Sequence, residues 1–219
     1  MKHDNVGAGS EPLPDSIVYV VDDDESIRGA LTSLLMSVGI HVRAFESADD
    51  FLAAEMPNVP SCLILDIRLR GTSGLTLQQE PYKESVRLPI VFLTGHGDID
   101  MSVRAMKAGA FDFMTKPFKD QDVIDTIAAA LKRDSELKRQ EKIVAGIRQT
   151  FDLLTARERE VIRLVADGLL NKQIANRLCL SEVTVKIHRG QAMHKLKARS
   201  VPDVVRKLQQ VLPVQQSTR

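Results

Sequence analysis

Three short, unbroken apolar runs constrain this chain most: Ile17–Val21 (IVYVV), Cys62–Leu65 (CLIL) and Ile90–Leu93 (IVFL). Each is too short for a typical helix, and a strand that is apolar at every position has both of its faces buried. Amphipathic stretches separate the runs. In Glu25–Val38, Ile27, Leu31, Leu34, Leu35 and Val38 fall at helical spacing, and Gly39 stops the pattern. Two further strands are expected at His41–Ala44 and Phe111–Met114. Helices are expected at Ala48–Glu55 (ended by Pro57), from Gly74–Gln79 (cut short by Pro81), at Ile99–Ala108 and from Asp120 onward. Five strands alternating with five helices imply an α/β fold, a doubly wound five-stranded parallel sheet covered on both faces. In such a sheet the functional crevice lies beyond the carboxyl ends of the strands.

The residues at those ends are chemically coherent. The first strand runs into Asp22, Asp23 and Asp24, the third into Asp66 and the fourth into Thr94; the fifth leads to Lys116 and Pro117. Carboxylates crowded into one crevice repel each other unless a cation is present, and Mg²⁺ prefers carboxylate oxygens, a carbonyl and waters. Lys116 and such an ion would together neutralise an incoming phosphoryl group, to which Thr94 could donate a hydrogen bond. The set suits formation of an acyl phosphate on an aspartate. Singly, each residue has a plainer reading: Asp24 as the cap of the first helix, Asp22 and Asp23 as helix-start acids, Asp66 as a loop residue, Thr94-Gly95 as a turn. Their joint placement at four strand ends is what points to a site.

The net charge of +1 conceals a division. Residues 1–150 carry 17 Lys+Arg against 23 Asp+Glu, and residues 151–219 carry 13 against 6, so an acidic part (−6) is joined to a basic one (+7). The acidic part suits a bound cation and the basic part suits nucleic acid. With 43% hydrophobic and 27% charged residues the chain is an ordinary globular mix, which excludes wholesale disorder. No run approaches ~18 apolar residues, so no membrane partner is expected. Met1–Ser10 lacks an apolar signal core, and Cys62 and Cys179 form no metal pattern; both observations favour the cytoplasm. Residues 1–15 read as a flexible tail. His41, His96 and His188 read as structural or loop residues.

Beyond Asp120 the pattern is helical throughout. Asp120–Gln149 reads as one long helix or two, with a broken apolar stripe that suits either pairing with a partner chain or a solvated arm. Thr155-Ala-Arg-Glu158 is a capping box opening a helix that ends near Gly168. Helices Asn171–Leu178 and Glu182–Leu196, joined by Cys179-Leu-Ser181, have helix-turn-helix spacing, and Val201–Val211 is the last helix. In the second helix of the pair Val185, Ala192 and Leu196 should face inward, with Arg189 at the edge. Lys186, Ile187, Gly190 and His194 should face outward. Lys186 suits a guanine edge or a phosphate and Ile187 a thymine methyl, while Gly190 permits close approach. Asn171 and Lys172, starting the first helix of the pair, suit phosphate contacts. The plainer reading is a solvated basic face.

VVDDDESIR, LILDIRLRGTSGL and PIVFLTGHGDIDMSVRAMKAGAFDFMTKPF together resemble the receiver domain of two-component response regulators, especially the NarL/FixJ subfamily, over about residues 16–135. The resemblance implies a flavodoxin-like receiver with Asp66 as phosphoacceptor. It implies Mg²⁺ held by Asp23, Asp66 and the backbone carbonyl of Arg68, with Asp22 assisting. It further implies a switch pair, Thr94 and Phe113, and a phosphoryl-binding Lys116 whose bond to Pro117 is usually cis in the family. Two departures stand out: Arg70 where the family often has proline, and Pro81 in the third helix. LTAREREVIRLVADGLLNKQIANRLCLSEVTVKIHRGQAMHKLKARS resembles the LuxR-type DNA-binding domain. That resemblance places Thr184, Lys186, Ile187, Arg189 and Gly190 at or beside DNA and gives Val201–Val211 the dimer contact. The expected organisation is a tail (1–15), a receiver (16–135), a helical linker (136–150) and a DNA-binding domain of four helices (151–219).

The expected function is a phosphorylation-activated transcription factor, not an enzyme in role. A sensor histidine kinase supplies the phosphoryl group, phosphorylation promotes a homodimer, and the homodimer binds double-stranded promoter DNA, which leaves room for RNA polymerase as a further partner. Two rival readings stand beside it. An aspartate-nucleophile phosphatase would usually carry a second aspartate where this chain has Arg68. A receiver-like module that never takes phosphate would not need the intact acidic set.

Overall fold

The computed structural model describes residues 15–69, 87–95 and 99–212. The chain divides into two compact units, Met1–Lys138 and Arg139–Arg219. In the first unit the elements run β1 (Ile17–Val21), α1 (Glu25–Ser37), β2 (His41–Phe45), α2 (Ala48–Ala53), β3 (Ser61–Asp66), β4 (Ile90–Thr94), α3 (Ile99–Lys107), β5 (Asp112–Thr115) and α4 (Asp120–Asp152). The third helix expected from Gly74 lies outside the described residues, as do Arg70, Pro81 and His96.

All five strands are parallel, in the order β2-β1-β3-β4-β5. The strand order reverses between β1 and β3, and this is the doubly wound arrangement whose crevice opens there. β1, β3 and β4 are buried along their whole length, as their solid apolar runs require. Their alternate residues feed two separate cores. Ile17, Tyr19, Val21, Leu63, Leu65 and Phe92 pack with Ala48 and Phe51 of α2 and Ala105 of α3. Val18, Val20, Cys62, Ile64, Val91 and Leu93 pack with Leu31 and Leu35 of α1 and Val123, Ile127 and Ala130 of α4. Burial pushes the Cys62 thiol up to about 12, which keeps it an inert packing group. β2 at the sheet edge is largely exposed.

Local signals set most boundaries. Asp24 caps α1, its Oδ1 accepting from the Ser26 N–H at 2.8 Å, and Gly39 follows the helix at φ +80°. α2 ends at Ala53 rather than Glu55, because Ala54 already adopts extended backbone. β5 is shifted by one residue from expectation: Phe111 donates to the Ile90 carbonyl at 2.8 Å and packs on the core ahead of the strand. α4 is a single helix of 33 residues. Its buried Asp134 accepts from the Ser61 N–H at 2.8 Å, at the start of β3, and also pairs with Lys138. No helix among the described residues is long and apolar enough to cross a membrane.

The second unit continues with α5 (Ala156–Ala166), α6 (Asn171–Leu178), α7 (Glu182–Lys195) and α8 (Val201–Val211). Their core contains Val161, Ile162, Val165, Ile174, Val185, Ala192, Leu196, Val204 and Leu208, with Phe151 from the end of α4. The capping box is present: Thr155 Oγ1 accepts from the Glu158 N–H at 3.2 Å, and Glu158 Oε2 accepts from the Thr155 N–H at 2.8 Å. Glu158 is buried, and Lys195 of α7 donates to both its carboxylate oxygens at 2.9 and 2.7 Å. One carboxylate therefore caps α5 and joins it to α7.

Burial alone would raise the Glu158 carboxyl, but Lys195 and the Thr155 N–H hold it below its ordinary value near 4.5. A carboxyl depressed by folding stabilises the native state above its unfolded value and loses that contribution as the pH falls through the folded one. Glu158→Gln should destabilise this unit by about 1–3 kcal/mol at neutral pH, the range for a hydrogen-bonded charged group. The deficit should close on acidification below pH ~4.5. Hydrogen exchange of α5 and α7 amides across that range measures both effects.

Candidate functional site

The turn after β1 and the ends of β3, β4 and β5 meet at the switch point of the sheet. Asp22, fully buried, immediately follows β1; Asp66 is the last residue of β3. Lys116, which follows β5, donates through Nζ to Asp22 Oδ2 at 2.7 Å and to Asp66 Oδ2 at 2.7 Å. The second Asp22 oxygen accepts from the Asp24 N–H at 2.9 Å, and the second Asp66 oxygen from the Arg68 N–H at 3.1 Å. Arg28 of α1 donates to the Asp22 carbonyl at 2.6 Å, tying the first helix to this loop. The Lys116 N–H donates to the Thr94 carbonyl at 2.7 Å, and the Lys116–Pro117 bond is cis.

Asp22, Asp23 and Asp66 each bring a carboxylate oxygen within 4.8 Å of the others. Oxygens ~2.1 Å from one hard cation lie about 3–4 Å apart, so the three carboxylates, gathered within 4.8 Å, fit such an ion by number and chemistry and need only a small approach to hold it. Thr94 is buried, with its hydroxyl donating to the Gly95 carbonyl at 3.0 Å. Phe113 on β5 is 40% exposed. The sheet thus gathers the strand-end residues expected from the sequence, with Thr94 and Phe113 on the adjoining strands.

The electrostatics follow from burial. Removal from water pushes the Asp22 carboxyl above its ordinary range, against the hydrogen bonds from Lys116 and the Asp24 N–H; the neighbouring Asp66 charge adds to the rise. Burial pulls the Lys116 ammonium down, but its hydrogen bonds to Asp22 and Asp66 and their charges outweigh it and hold the group above its ordinary value. Asp22 and Asp66 are thus like charges bridged by the Lys116 ammonium.

The second surface lies on α6 and α7, joined through Cys179 in left-handed backbone at φ +53°. Val185, Ala192 and Leu196 are buried as expected, and Lys186, Ile187, Gly190 and His194 are exposed. Lys172 is exposed at the start of α6. Three other residues of this set have partners within the motif. Arg189 is half-buried and donates through Nη1 to Asn171 Oδ1 at 2.9 Å, so this pair braces α7 against α6. The Thr184 hydroxyl lies 2.8 Å from that of Ser181, the cap of α7. Val183, which the sequence reading passed over, is 69% exposed. It lies three residues before Lys186 and four before Ile187, so carrying the outward stripe back one turn would have found it.

The chain matches two family descriptions, "Response regulator receiver domain" over residues 18–128 and "Bacterial regulatory proteins, luxR family" over residues 152–208. It is 50% identical to nodulation protein W of Bradyrhizobium diazoefficiens across 91% of this chain and 88% of that one. It is 40% identical to the transcriptional regulatory protein FixJ of Azorhizobium caulinodans across 89% of this chain and 92% of that one. Among solved structures it is similar to the response regulator StyR, with a TM-score of 0.80 and 44% identity, covering 89% of this chain and 98% of that one.

Lys116→Met would leave Asp22 and Asp66 facing each other without their cation. Removing one partner of a buried pair typically costs about 3 kcal/mol or more. Asp22 would then titrate still higher, and a carboxyl raised by folding stabilises at low pH and loses that contribution as the pH rises through its folded value. The deficit of the variant, measured by urea unfolding without divalent cations, should therefore be smaller near pH ~5 than near pH ~8.

Proposed function

The chain belongs to the response regulators of the NarL/FixJ type, which join a receiver to a LuxR-type DNA-binding domain, and on that premise we propose how its residues divide the work. It is a phosphorylation-dependent transcriptional regulator of a two-component system, with a sensor kinase and DNA as its partners, in a family of regulators rather than dedicated enzymes. The observation that carries the assignment of residues is the Lys116 ammonium bridging Asp22 and Asp66 at the switch point, with Asp23 in the same cluster.

Asp66 is the phosphoacceptor in this reading. One of its carboxylate oxygens attacks phosphorus, the bond from phosphorus to the kinase histidine breaks, and an acyl phosphate results. Asp22, Asp23, Asp66 and the Arg68 carbonyl would hold Mg²⁺, which when bound supplies positive charge against the carboxylates and the phosphoryl oxygens. Lys116 releases the Asp66 oxygen and follows the phosphoryl group as its counter-charge. Thr94 turns its hydroxyl from the Gly95 carbonyl to a phosphoryl oxygen, and Phe113 turns inward into the space vacated. This rearranges the face made by α3, β5 and the start of α4. Val103 and Met106 of α3 and Phe113 expose apolar surface there, which suits burial between two receivers.

On DNA, α7 enters the major groove. Lys186, Ile187 and Gly190 lie against base edges, and Lys172 with the start of α6 lies near phosphates. The Arg189–Asn171 pair and Thr184 set the posture of the helix, and α8 pairs the two DNA-binding domains. A cytoplasmic location and contact with RNA polymerase at the promoter follow from this role.

Incubation with acetyl phosphate and Mg²⁺ should add one phosphoryl group per chain by intact mass, and Asp66→Ala should abolish it; an undiminished adduct would overturn the assignment. Asp23→Ala should weaken Mg²⁺ binding, measured by the metal's effect on thermal unfolding.

Sedimentation should show a monomer becoming a dimer on phosphorylation. Binding to duplex DNA should strengthen in parallel through effective concentration and fall steeply with salt. The same species before and after phosphorylation would refute the dimer route.

A further inference from the structure

One stripe of α7 carries Val183, Lys186, Ile187 and Gly190, at helical spacings of three and four residues, and all four are exposed. Val183 is 69% and Ile187 53% exposed, while Val185 and Ala192 between and beyond them are sealed in the core. Neither Val183 nor Ile187 belongs to that core or to the partly buried residues packed on it. Two branched aliphatic side chains four residues apart form a continuous apolar ridge, and holding such a ridge in water is unfavourable. Nothing among the described residues covers it, which leaves the ridge to a partner.

The surrounding charge identifies that complement. Lys186 stands beside the ridge, none of the four stripe residues is acidic (the exposed Glu182, one turn before Lys186, is the nearest carboxylate on α7), and residues 151–219 carry 13 Lys+Arg against 6 Asp+Glu. A polyanion that also offers small apolar groups fits this pattern. In the DNA major groove the only such group is the C5-methyl of thymine. Residues four apart on a helix are separated by ~6 Å along the axis, and successive bases by about 3.4 Å, so two such contacts fall one or two base steps apart. Gly190, two turns beyond Val183 and one beyond Ile187, has no side chain, which keeps that end of the stripe low, and no atom lies within 4 Å of where a Cβ would stand.

We infer that Val183 is a second base-reading residue, which acts with Ile187 on the methyl groups of two thymines at most two steps apart in each half-site, with Lys186 between them. The inference rests on the DNA-binding reading given above and adds the base it recognises.

The test uses the full chain with acetyl phosphate and Mg²⁺. Duplexes are selected from a random library, and deoxyuridine, which lacks only the methyl, then replaces each selected thymine in turn. The expected half-site contains the thymine pair. Uracil at one thymine should weaken the parent chain about three- to fivefold, the value of one buried methyl. The same replacement should leave Val183→Ala unaffected, while uracil at the other thymine should be without effect in Ile187→Ala. Because both side chains are exposed, the variants retain the fold, which circular dichroism verifies. A selected half-site lacking the pair, or an equal uracil penalty in Val183→Ala and the parent, overturns the inference and leaves DNA binding intact. Failure to select or bind any duplex overturns the DNA-binding reading itself, and this inference with it.

Discussion

The first unit is organised around one ammonium group. Lys116 Nζ lies 2.7 Å from a carboxylate oxygen of Asp22 and 2.7 Å from one of Asp66, and its own N–H holds the Thr94 carbonyl. It therefore ties together the ends of β1, β3, β4 and β5. Like charges a few ångströms apart in a partly dry crevice repel by several kcal/mol, and burial already raises the Asp22 carboxyl. The lysine offsets that repulsion at each carboxylate while leaving Asp66 at the rim of the sheet. A site poised in this way responds to small changes of charge, because Asp22 and Asp66 share the Lys116 ammonium.

The sheet makes such a site affordable. Alternate residues of β1, β3 and β4 supply two dry cores, so the apolar burial that stabilises the unit lies below the crevice. The helical unit has a core of its own, with Glu158 and Lys195 joining α5 to α7. The sheet unit and the helical unit therefore each rest on apolar clusters of their own.

Much of this was legible in the sequence because the signals are local. Solid apolar runs marked β1, β3 and β4; Asp24, Thr155 with Glu158, and the glycines after α1 and α5 marked helix ends. The response-regulator resemblance stood on contiguous motifs and proved sound, and the residues expected at the strand ends do converge. What stayed hidden depends on contacts between distant residues. Arg189 reads as one more basic side chain until α6 brings Asn171 beside it, 18 positions away in sequence. Asp134 reads as one of many charges on a long helix until the β3 N–H reaches it. The shift in β5 arose because Phe111 packs as a strand residue would while lying outside the strand. Val183 was missed because the outward stripe was followed only from Lys186 onward, although the same spacing carries it back one turn.

Gly190 has a consequence beyond binding. Glycine in the middle of an exposed helix is unfavourable relative to alanine by about 0.5–1 kcal/mol, and here no packing against neighbours accounts for it. The space beside it is open, so a side chain introduced at this position meets no atom of the fold. Val185 and Ala192 of α7 cannot change without disturbing packing, and Arg189 cannot change without losing its bond to Asn171; Gly190 carries neither constraint within the fold. In a lineage that duplicates its regulators, a small side chain introduced at Gly190 of one copy would change the outline of the outer face of α7 while the core beneath it stays as it is. The position is therefore one at which the outer face of α7 can change shape without repacking the helices beneath it.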